Sequence, residues 1–302
     1  MCSSDLNALK WPHEPFTVPQ EVAEFFTVHT ERLQADWEQW REEFGNLLDT
    51  SSEAYRVWSA MDSGYPPDDL EQQLLDVVAS EKSLATRVAS GKIMQKIAQL
   101  MPGFIGGSAD LAPSNMTHLK DYDDLSHDCY EGRNIHFGVR EHAMGSIMNG
   151  LALSKLLIPF GATFLVFADY MRPAIRLAAV QELRTIFVFT HDSFHLGEDG
   201  PTHQPIEHLA MLRATPDVLV LRPADSRETA LCWAIAIRRM HKPTVLALTR
   251  QKLPTLDPVA HPVLHVTRGA YLLHEPRVRD VTLLASGSEV PLAVDAAKLL
   301  SA

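Results

Sequence analysis

Between about residues 81 and 254 the chain alternates short apolar, β-branched runs with longer helical patterns, and few folds accommodate that rhythm. The strand candidates are Phe104–Gly107, Ile135–Phe137, Gly161–Phe167, Thr185–Thr190, Val218–Leu221 and Thr244–Leu248. They are mostly apolar throughout, without the half-polar alternation of a sheet that has one wet face. Helical patterns lie between them at Leu84–Leu100, Glu141–Lys155, Met171–Leu183, Pro205–Leu212 and Asp225–Met240. In the first, Ala89, Ile93, Ile97 and Leu100 make an apolar stripe, with Arg87 off it; in the second, Met144, Ile147, Met148 and Leu151 do the same. Asp225 with Glu228 three residues later is a capping-box signature. The prediction is α/β: a parallel sheet flanked by helices.

The flanks differ. Residues 1–80 are polar and rich in Trp, acid and Pro, with a helix expected at Glu31–Phe44 (Leu33, Trp37, Trp40 and Phe44 on one side) and another at Asp68–Ala79. They read as a helical connecting arm. Residues 255–302 follow a linker spaced by Pro254, Pro258 and Pro262, then offer a strand at Val281–Ala285, a turn at Ser286–Ser288 and a helix at Glu289–Leu300. One strand and one helix cannot bury a core, so this zone is expected to be the opening of a second α/β domain.

Composition excludes some partners. With 27 basic against 38 acidic residues, the net charge of −11 supplies no basic excess to neutralise nucleic-acid phosphates. No apolar run reaches the length of a membrane span. Three dispersed cysteines, Cys2, Cys129 and Cys232, suggest no disulfide framework, and a reducing cytoplasm is the expected compartment.

In parallel sheets ligands gather where strands hand over to helices, and the polar clusters fall there. They are Gly106–Asn115 (GGSADLAPSN), Gly138–His142 (GVREH) and Thr190–Pro205 (THDSFHLGEDGPTHQP). Each also has an ordinary reading. The Gly106-Gly107 pair can be a turn, and it matches neither phosphate-loop nor dinucleotide patterns. Glu141 can be a carboxylate favoured at a helix start. His191, His195 and His203 invite a metal, but the intervening glycines and Pro201 forbid one helical face and no Cys or carboxylate completes a ligand spacing, so no metal ligand is assigned.

Taken together, Gly106–Asn115, Val139–Gly150 (VREHAMGSIMNG), Thr163–Tyr170 (TFLVFADY) and Thr190–Pro205 resemble, in order and spacing, the pyrimidine-binding domain of the transketolase family. Arg222–Asp225, Thr249–Gln251 and Thr282–Val290 (TLLASGSEV) extend the resemblance, and Trp11–Phe16 resembles the segment that joins this domain to a preceding diphosphate-binding one. The resemblance implies thiamine diphosphate as cofactor and a two-carbon ketol transfer from a ketose phosphate to an aldose phosphate, a step of the pentose phosphate pathway. It implies that Glu141 hydrogen-bonds the aminopyrimidine ring nitrogen and favours the imino form that deprotonates the thiazolium carbon. Phe164, Phe167 and Tyr170 would stack on the pyrimidine, and Asp110 would support the cofactor. Arg87, Ser114, His191 and Arg250 would contact substrate phosphate, and Asp199 and His203 the sugar hydroxyls and reacting carbonyl. Glu141, His191 and His203 are thus the expected catalytic residues.

The resemblance further implies Mg2+ (or Ca2+) held by a diphosphate-binding domain of a second subunit, and a homodimer when complete. Neither that domain's Gly-Asp-Gly metal motif nor most of a C-terminal domain is found in this sequence, so the chain alone is expected to be inactive, as a fragment or a split subunit. One departure stands out: Phe194 and His195 occupy positions where the family often carries smaller residues. Deoxyxylulose-phosphate synthase and the β component of 2-oxoacid dehydrogenases share the glutamate and the fold, but the Asp110–Asn115 and His191–His203 runs favour transketolase. Dihydroxyacetone synthase, and a non-catalytic truncated chain, stay open as alternatives.

Overall fold

The computed structural model describes residues 3–47, 52–257, 259–261, 265–274 and 280–300. The chain divides into two compact units, Met1–Ser59 and Ala60–Ala302.

The first unit is helical, with α1 (Ser3–Ala8) and α2 (Gln20–Leu47). α2 is twice as long as the expected helix. Its Trp40 stacks on Phe44 at 4.9 Å, and Phe44 meets Trp58 edge-on at the same distance. A third helix, α3 (Glu53–Ser63), forms where the sequence pattern predicts none.

The second unit runs α4 (Leu70–Val77), β1 (Ser83–Ala85), α5 (Thr86–Leu100), β2 (Phe104–Ser108), α6 (Ala112–Asn115), β3 (Asn134–His136), α7 (Glu141–Leu153), β4 (Ile158–Phe164), α8 (Ala168–Val180), β5 (Ile186–Thr190), α9 (His208–Ala214), β6 (Leu219–Leu221), α10 (Ser226–Arg238), β7 (Thr244–Leu248), β8 (Lys252–Pro254) and α11 (Glu289–Leu300). Six strands form one parallel sheet in the order β3-β2-β4-β5-β7-β6. This is the α/β architecture expected from the alternating pattern. β1 and β8 make a separate antiparallel pair, with Leu84 opposite Leu253.

Successive strand residues point to opposite faces, and both faces are covered. Ile186 and Val188 face one core with α4, α5 and α10; Phe187 and Phe189 face the other with α7, α8 and α9. In the first core Phe104 stacks on Phe160 at 4.7 Å and meets Trp233 edge-on at 5.8 Å, while Trp233 Nε1 donates to Ser90 Oγ at 2.8 Å. Gly106 and Gly107 are not a turn. They lie inside β2, where a Cβ would sit 1.9 Å from the carbonyl oxygens of Phe160 and Ile135 respectively, so only glycine lets the neighbouring strands approach there.

The α7 stripe is rotated from the expected one. Met144 and Met148 are buried, but Ile147 is exposed, and Gly145 and Asn149 face inward instead. The cause is close packing on α8: a Cβ at Gly145 would meet Ala174 Cβ at 2.7 Å, and Asn149 Nδ2 donates to the Ala174 carbonyl at 3.0 Å. The Asp225 cap forms as expected, its carboxylate accepting from Glu228 N at 2.7 Å, but the Glu228 carboxylate accepts from Ala224 N, one residue before the cap, at 2.6 Å.

Residues 281–286 form no strand, because no neighbouring strand is available for them to pair with among the described residues. Pro258 and Pro262 of the expected linker lie outside the described residues.

Candidate active site

Because the six strands are parallel, their carboxyl ends share one edge, and each delivers polar residues to it. After β2 come Asp110 and Ser114, and after β3 comes Glu141. β4 ends on Phe164 and is followed by Phe167 and Tyr170; after β5 come His191, Asp199 and His203. Arg222 follows β6 and Arg250 follows β7. The strand order reverses at β2, with β3 on one side and β4 on the other. A crevice for a ligand is expected at such a reversal, and Glu141 and the aromatic run flank it.

Glu141 is the first residue of α7 and is 8% exposed. A carboxylate there is favoured by the free N–H groups of the first turn, and little water reaches it. Phe164 and Phe167 are nearly parallel, 10° apart with ring centroids 5.9 Å apart, and Tyr170 continues the row 6.3 Å from Phe167. The three rings differ in exposure, and Phe164 lies deepest. It is buried, because His191 lies on it with ring centroids 3.8 Å apart and Phe167 and His203 close around it. Only Tyr170 is well exposed, at 66%. The result is a flat apolar step open at one end, with a buried carboxylate on the same sheet edge. That combination fits a planar heteroaromatic ring with a hydrogen-bonding nitrogen.

The second half of the site is cationic. α5 and the end of β7 are stitched together: Thr249 N donates to Thr86 Oγ1 at 2.7 Å and Thr86 N to Thr249 Oγ1 at 3.1 Å. This sets Arg87 and Arg250, the next residues, side by side. An Arg87 Nη1 bond to the Ser114 carbonyl links them to the β2 loop, and Arg250 Nη2 pairs with Glu198 at 2.7 Å. His191, in the left-handed region at φ 58°, sits beside them. Burial pushes its pKa down to about 3, with the charges of Arg87 and Arg250 and the nearby His203 adding to the effect. His191 is therefore neutral in the folded chain at any ordinary pH.

That shift has a stability consequence. His191 in the unfolded chain takes a proton near the ordinary imidazole value of 6.5, whereas the folded chain binds it only near 3. The stabilisation from the neutral buried ring is fully present above pH 6.5 and is lost as pH falls toward 3. The limiting slope is about 1.4 kcal/mol per pH unit. Replacing His191 with Gln should flatten the acid limb of stability against pH in that window. Denaturant unfolding across the window checks it, and an unchanged slope would show that another group carries the acid sensitivity.

Asp199 and Asp110 are exposed, Asp110 at φ 61°. His203 is half-buried, its Nδ1 2.9 Å from Thr202 Oγ1. Phe194 and His195 lie in a one-turn 3-10 segment with both rings exposed and Leu196 buried beneath them. Gly197 and Gly200 carry φ values of 93° and 76°, which side chains rarely tolerate.

Three polar residues behind His191 had no role assigned from sequence, although two of the quoted motifs contain them. Ser108, Asn115 and Thr190 are buried and hydrogen-bonded in series. The available signal was a run of polar residues at the ends of otherwise apolar strands. Asp192 was also passed over. Its fully buried side chain accepts from Arg222 Nε at 2.7 Å.

Residues 82–255 match the family described as the transketolase, pyrimidine binding domain, over more than half of the chain. The transketolase of Geobacillus stearothermophilus is 47% identical over 300 residues, covering 98% of this chain and 45% of that protein. The solved transketolase of Pichia stipitis in complex with sedoheptulose 7-phosphate superposes with a TM-score of 0.88 at 42% identity, over 97% of this chain and 44% of that one. A solved protein described as a split-gene transketolase, an inactive β4 tetramer, matches with a TM-score of 0.58 at 28% identity, over 72% of this chain and 67% of that one. The chain thus spans less than half the length of the Geobacillus and Pichia proteins. No helix of the described residues is long and apolar enough to cross a membrane. The matched span and the parallel sheet beneath it agree: this chain belongs to the transketolase family.

Proposed function

We propose that the chain supplies the pyrimidine-gripping and sugar-binding wall of a transketolase active site, and that it works with a diphosphate-binding domain of a second subunit. The observation that carries this reading is the convergence, on one sheet edge, of Glu141, the Phe164–Phe167–Tyr170 step and the cationic group of Arg87 and Arg250. When bound, thiamine diphosphate supplies the carbanion chemistry that cleaves the ketose carbon–carbon bond. The protein's part is to orient and to polarise. Phe164, Phe167 and Tyr170 hold the pyrimidine flat and keep water from one face. Glu141 accepts a hydrogen bond from the ring nitrogen and thereby sets which nitrogen carries the proton. Asp110 supports the loop that borders this ring. Arg87, Arg250, Ser114 and His191 receive the sugar phosphate, and Asp199 and His203 meet the hydroxyls and the reacting carbonyl.

Mg2+ (or Ca2+) would sit with the diphosphate on the partner, and no residue of this chain is assigned to it. The substrates are phosphorylated ketoses and aldoses of the pentose phosphate pathway, the compartment is the cytoplasm and the complete assembly is a homodimer. The split-gene relative supports a separate-chain arrangement of the same parts.

The test is a two-component assay. This chain is mixed with the diphosphate-binding half of the Geobacillus relative, thiamine diphosphate, magnesium, xylulose 5-phosphate and ribose 5-phosphate. Turnover is expected on mixing and not from either component alone. Absence of turnover from a mixture shown to have associated would refute the reading.

Within that assembly Arg250→Ala should weaken use of a phosphorylated donor by about 1.5–3 kcal/mol, the range for a hydrogen bond to a charged group. Hydroxypyruvate, which carries no phosphate, should lose far less. The ratio of kcat/KM for the two donors reads the difference, and equal losses would assign Arg250 to the cofactor or to the fold.

A further inference from the structure

The buried polar chain behind His191 has a direction, and the direction decides what the ring can do. Leu111 N donates to Ser108 Oγ at 3.1 Å, and Ser108 Oγ donates to Asn115 Oδ1 at 2.6 Å. The other end of that amide, Asn115 Nδ2, donates to Thr190 Oγ1 at 2.7 Å. Thr190 Oγ1 lies 2.8 Å from His191 Nδ1. A hydroxyl has one hydrogen to give. Ser108 spends its hydrogen on the amide oxygen, so the amide must turn its N–H toward Thr190. Thr190 accepts that N–H, and the acceptor within reach of its own hydrogen among the described residues is His191 Nδ1. All three side chains are at least nine-tenths buried, so water does not compete to reset the order.

We propose that Ser108, Asn115 and Thr190 are positioning residues that lock His191 as the neutral tautomer with its proton on Nε2. Nδ1 is held as an acceptor by Thr190, and Nε2–H becomes a fixed, uncharged donor. Resting on the transketolase reading, that donor serves an anionic oxygen of the substrate phosphate alongside Arg87 and Arg250. A neutral donor suits this place. It adds a directed hydrogen bond without a third positive charge, and it offers the substrate no basic nitrogen. His191 was expected among the catalytic residues; in this arrangement it binds and does not exchange protons.

The readout is the tautomer itself. In the full chain labelled with 15N-histidine, long-range proton–nitrogen correlation separates a protonated, pyrrole-like ring nitrogen from an unprotonated, pyridine-like one. The His191 signals, assigned by their absence in His191→Gln, should show a pyrrole-like Nε2 and a pyridine-like Nδ1. Asn115→Asp should reverse this as the new carboxylate ionises. An ionised Asp accepts from both hydroxyls, so Thr190 then turns a lone pair toward Nδ1, which takes the proton. The reversal is sought across about pH 5–10, because burial can raise the new carboxyl's pKa by several units. Thr190→Val should leave the Nδ1 resonance without its hydrogen-bond displacement, which keeps the test open if the Asp variant does not fold.

A protonated Nδ1 in the unsubstituted chain overturns the proposal. So does an unreversed tautomer over the whole pH range, or an Nδ1 resonance indifferent to Thr190→Val. None of these outcomes touches the transketolase reading, which the two-component assay decides. In that assay Asn115→Asp should raise KM for a phosphorylated donor about 10- to 100-fold, the loss of one hydrogen bond to a charged group. Hydroxypyruvate should be spared.

Discussion

Glu141→Gln is expected to lower turnover in the assembled enzyme by about 10²–10⁴-fold, the usual contribution of a positioned proton-transfer group. Its stability should change little, by no more than the roughly 0.3–1 kcal/mol a carboxylate contributes at a helix start. The substitution keeps the shape and the first-turn position of the side chain. Glutamine still offers an oxygen to a helix start, and it is nearly isosteric with the 8% exposed glutamate it replaces, so packing should be preserved. What is lost is the negative charge. A carboxylate stabilises a proton on the ring nitrogen it faces, and a neutral amide does so weakly; in a site with little water that difference is not screened. The defect should therefore appear in the step that activates the cofactor. Proton exchange at the thiazolium carbon, followed by rapid quench in deuterium oxide, should slow in parallel with turnover, with KM for the sugars little changed. Normal exchange with slow turnover would move Glu141 out of cofactor activation and into substrate handling.

The same residue shows what could be seen in the sequence. Glu141 begins a helix that follows a short strand, and both patterns are strong enough locally to place it on the carboxyl edge of a sheet. Residues at the ends of the other strands were placed the same way, because parallel strands force their ends to one side. What could not be seen depended on contacts distant in sequence. β1 and β8 are three residues each, separated by most of the domain, and only their pairing makes them strands. The buried face of α7 turned on Gly145 and Asn149, and neither residue looks apolar in a stripe; their inward position depends on the approach of α8. Phe164 was legible as an aromatic of the site, but what covers it was not, since His191 and His203 come from another loop. Gly106 and Gly107 fell in a strand candidate, but a turn stayed open as the reason for glycine there, because nothing local reveals two neighbouring strands close on both sides. The direction of the Ser108–Asn115–Thr190 chain likewise requires the geometry.

Arg222→Leu is expected to destabilise the second unit by about 3–5 kcal/mol, the cost of stranding a buried charge. For a unit of this size that corresponds to a fall in Tm of roughly 6–20 °C. Arg222 leaves the end of β6 and reaches across the sheet edge. Its Nε donates to Asp192 at 2.7 Å, with side chains 7% and 0% exposed. Its Nη1 donates to the Ser286 carbonyl at 2.8 Å and pairs with Glu289, and Nη2 reaches Ser288 Oγ at 3.1 Å. Gly287 is pressed against the guanidinium: its φ is 58°, and a Cβ there would sit 2.7 Å from Arg222 Nε. One side chain thus ties the Ser286–Glu289 turn and the start of α11 to the loop that carries His191.

The pH dependence gives the network a signature. Burial raises the Asp192 carboxyl above its usual range even though Arg222 pulls it back. Without Arg222 the carboxyl should rise further. A carboxyl that holds its proton more tightly when folded makes the folded state bind more protons than the unfolded one. Stability then falls as pH rises through the folded value. The gap between Arg222→Leu and the unsubstituted chain should accordingly be widest near neutral pH and should narrow on acidification, as Asp192 in the variant becomes neutral. Glu289 adds to the narrowing from the other side. Burial opposes its ionisation, but the Arg222 and Ser288 hydrogen bonds hold its carboxyl below the usual range, so in the unsubstituted chain that pairing is lost as pH drops. Replacing both Arg222 and Asp192 with Leu should recover most of the loss at neutral pH, because no buried charge remains. Urea melts of the three proteins at a series of pH values carry the test. A gap that stays constant with pH, or a double variant no better than the single one, would show that Arg222 acts through packing and not through the buried carboxylate.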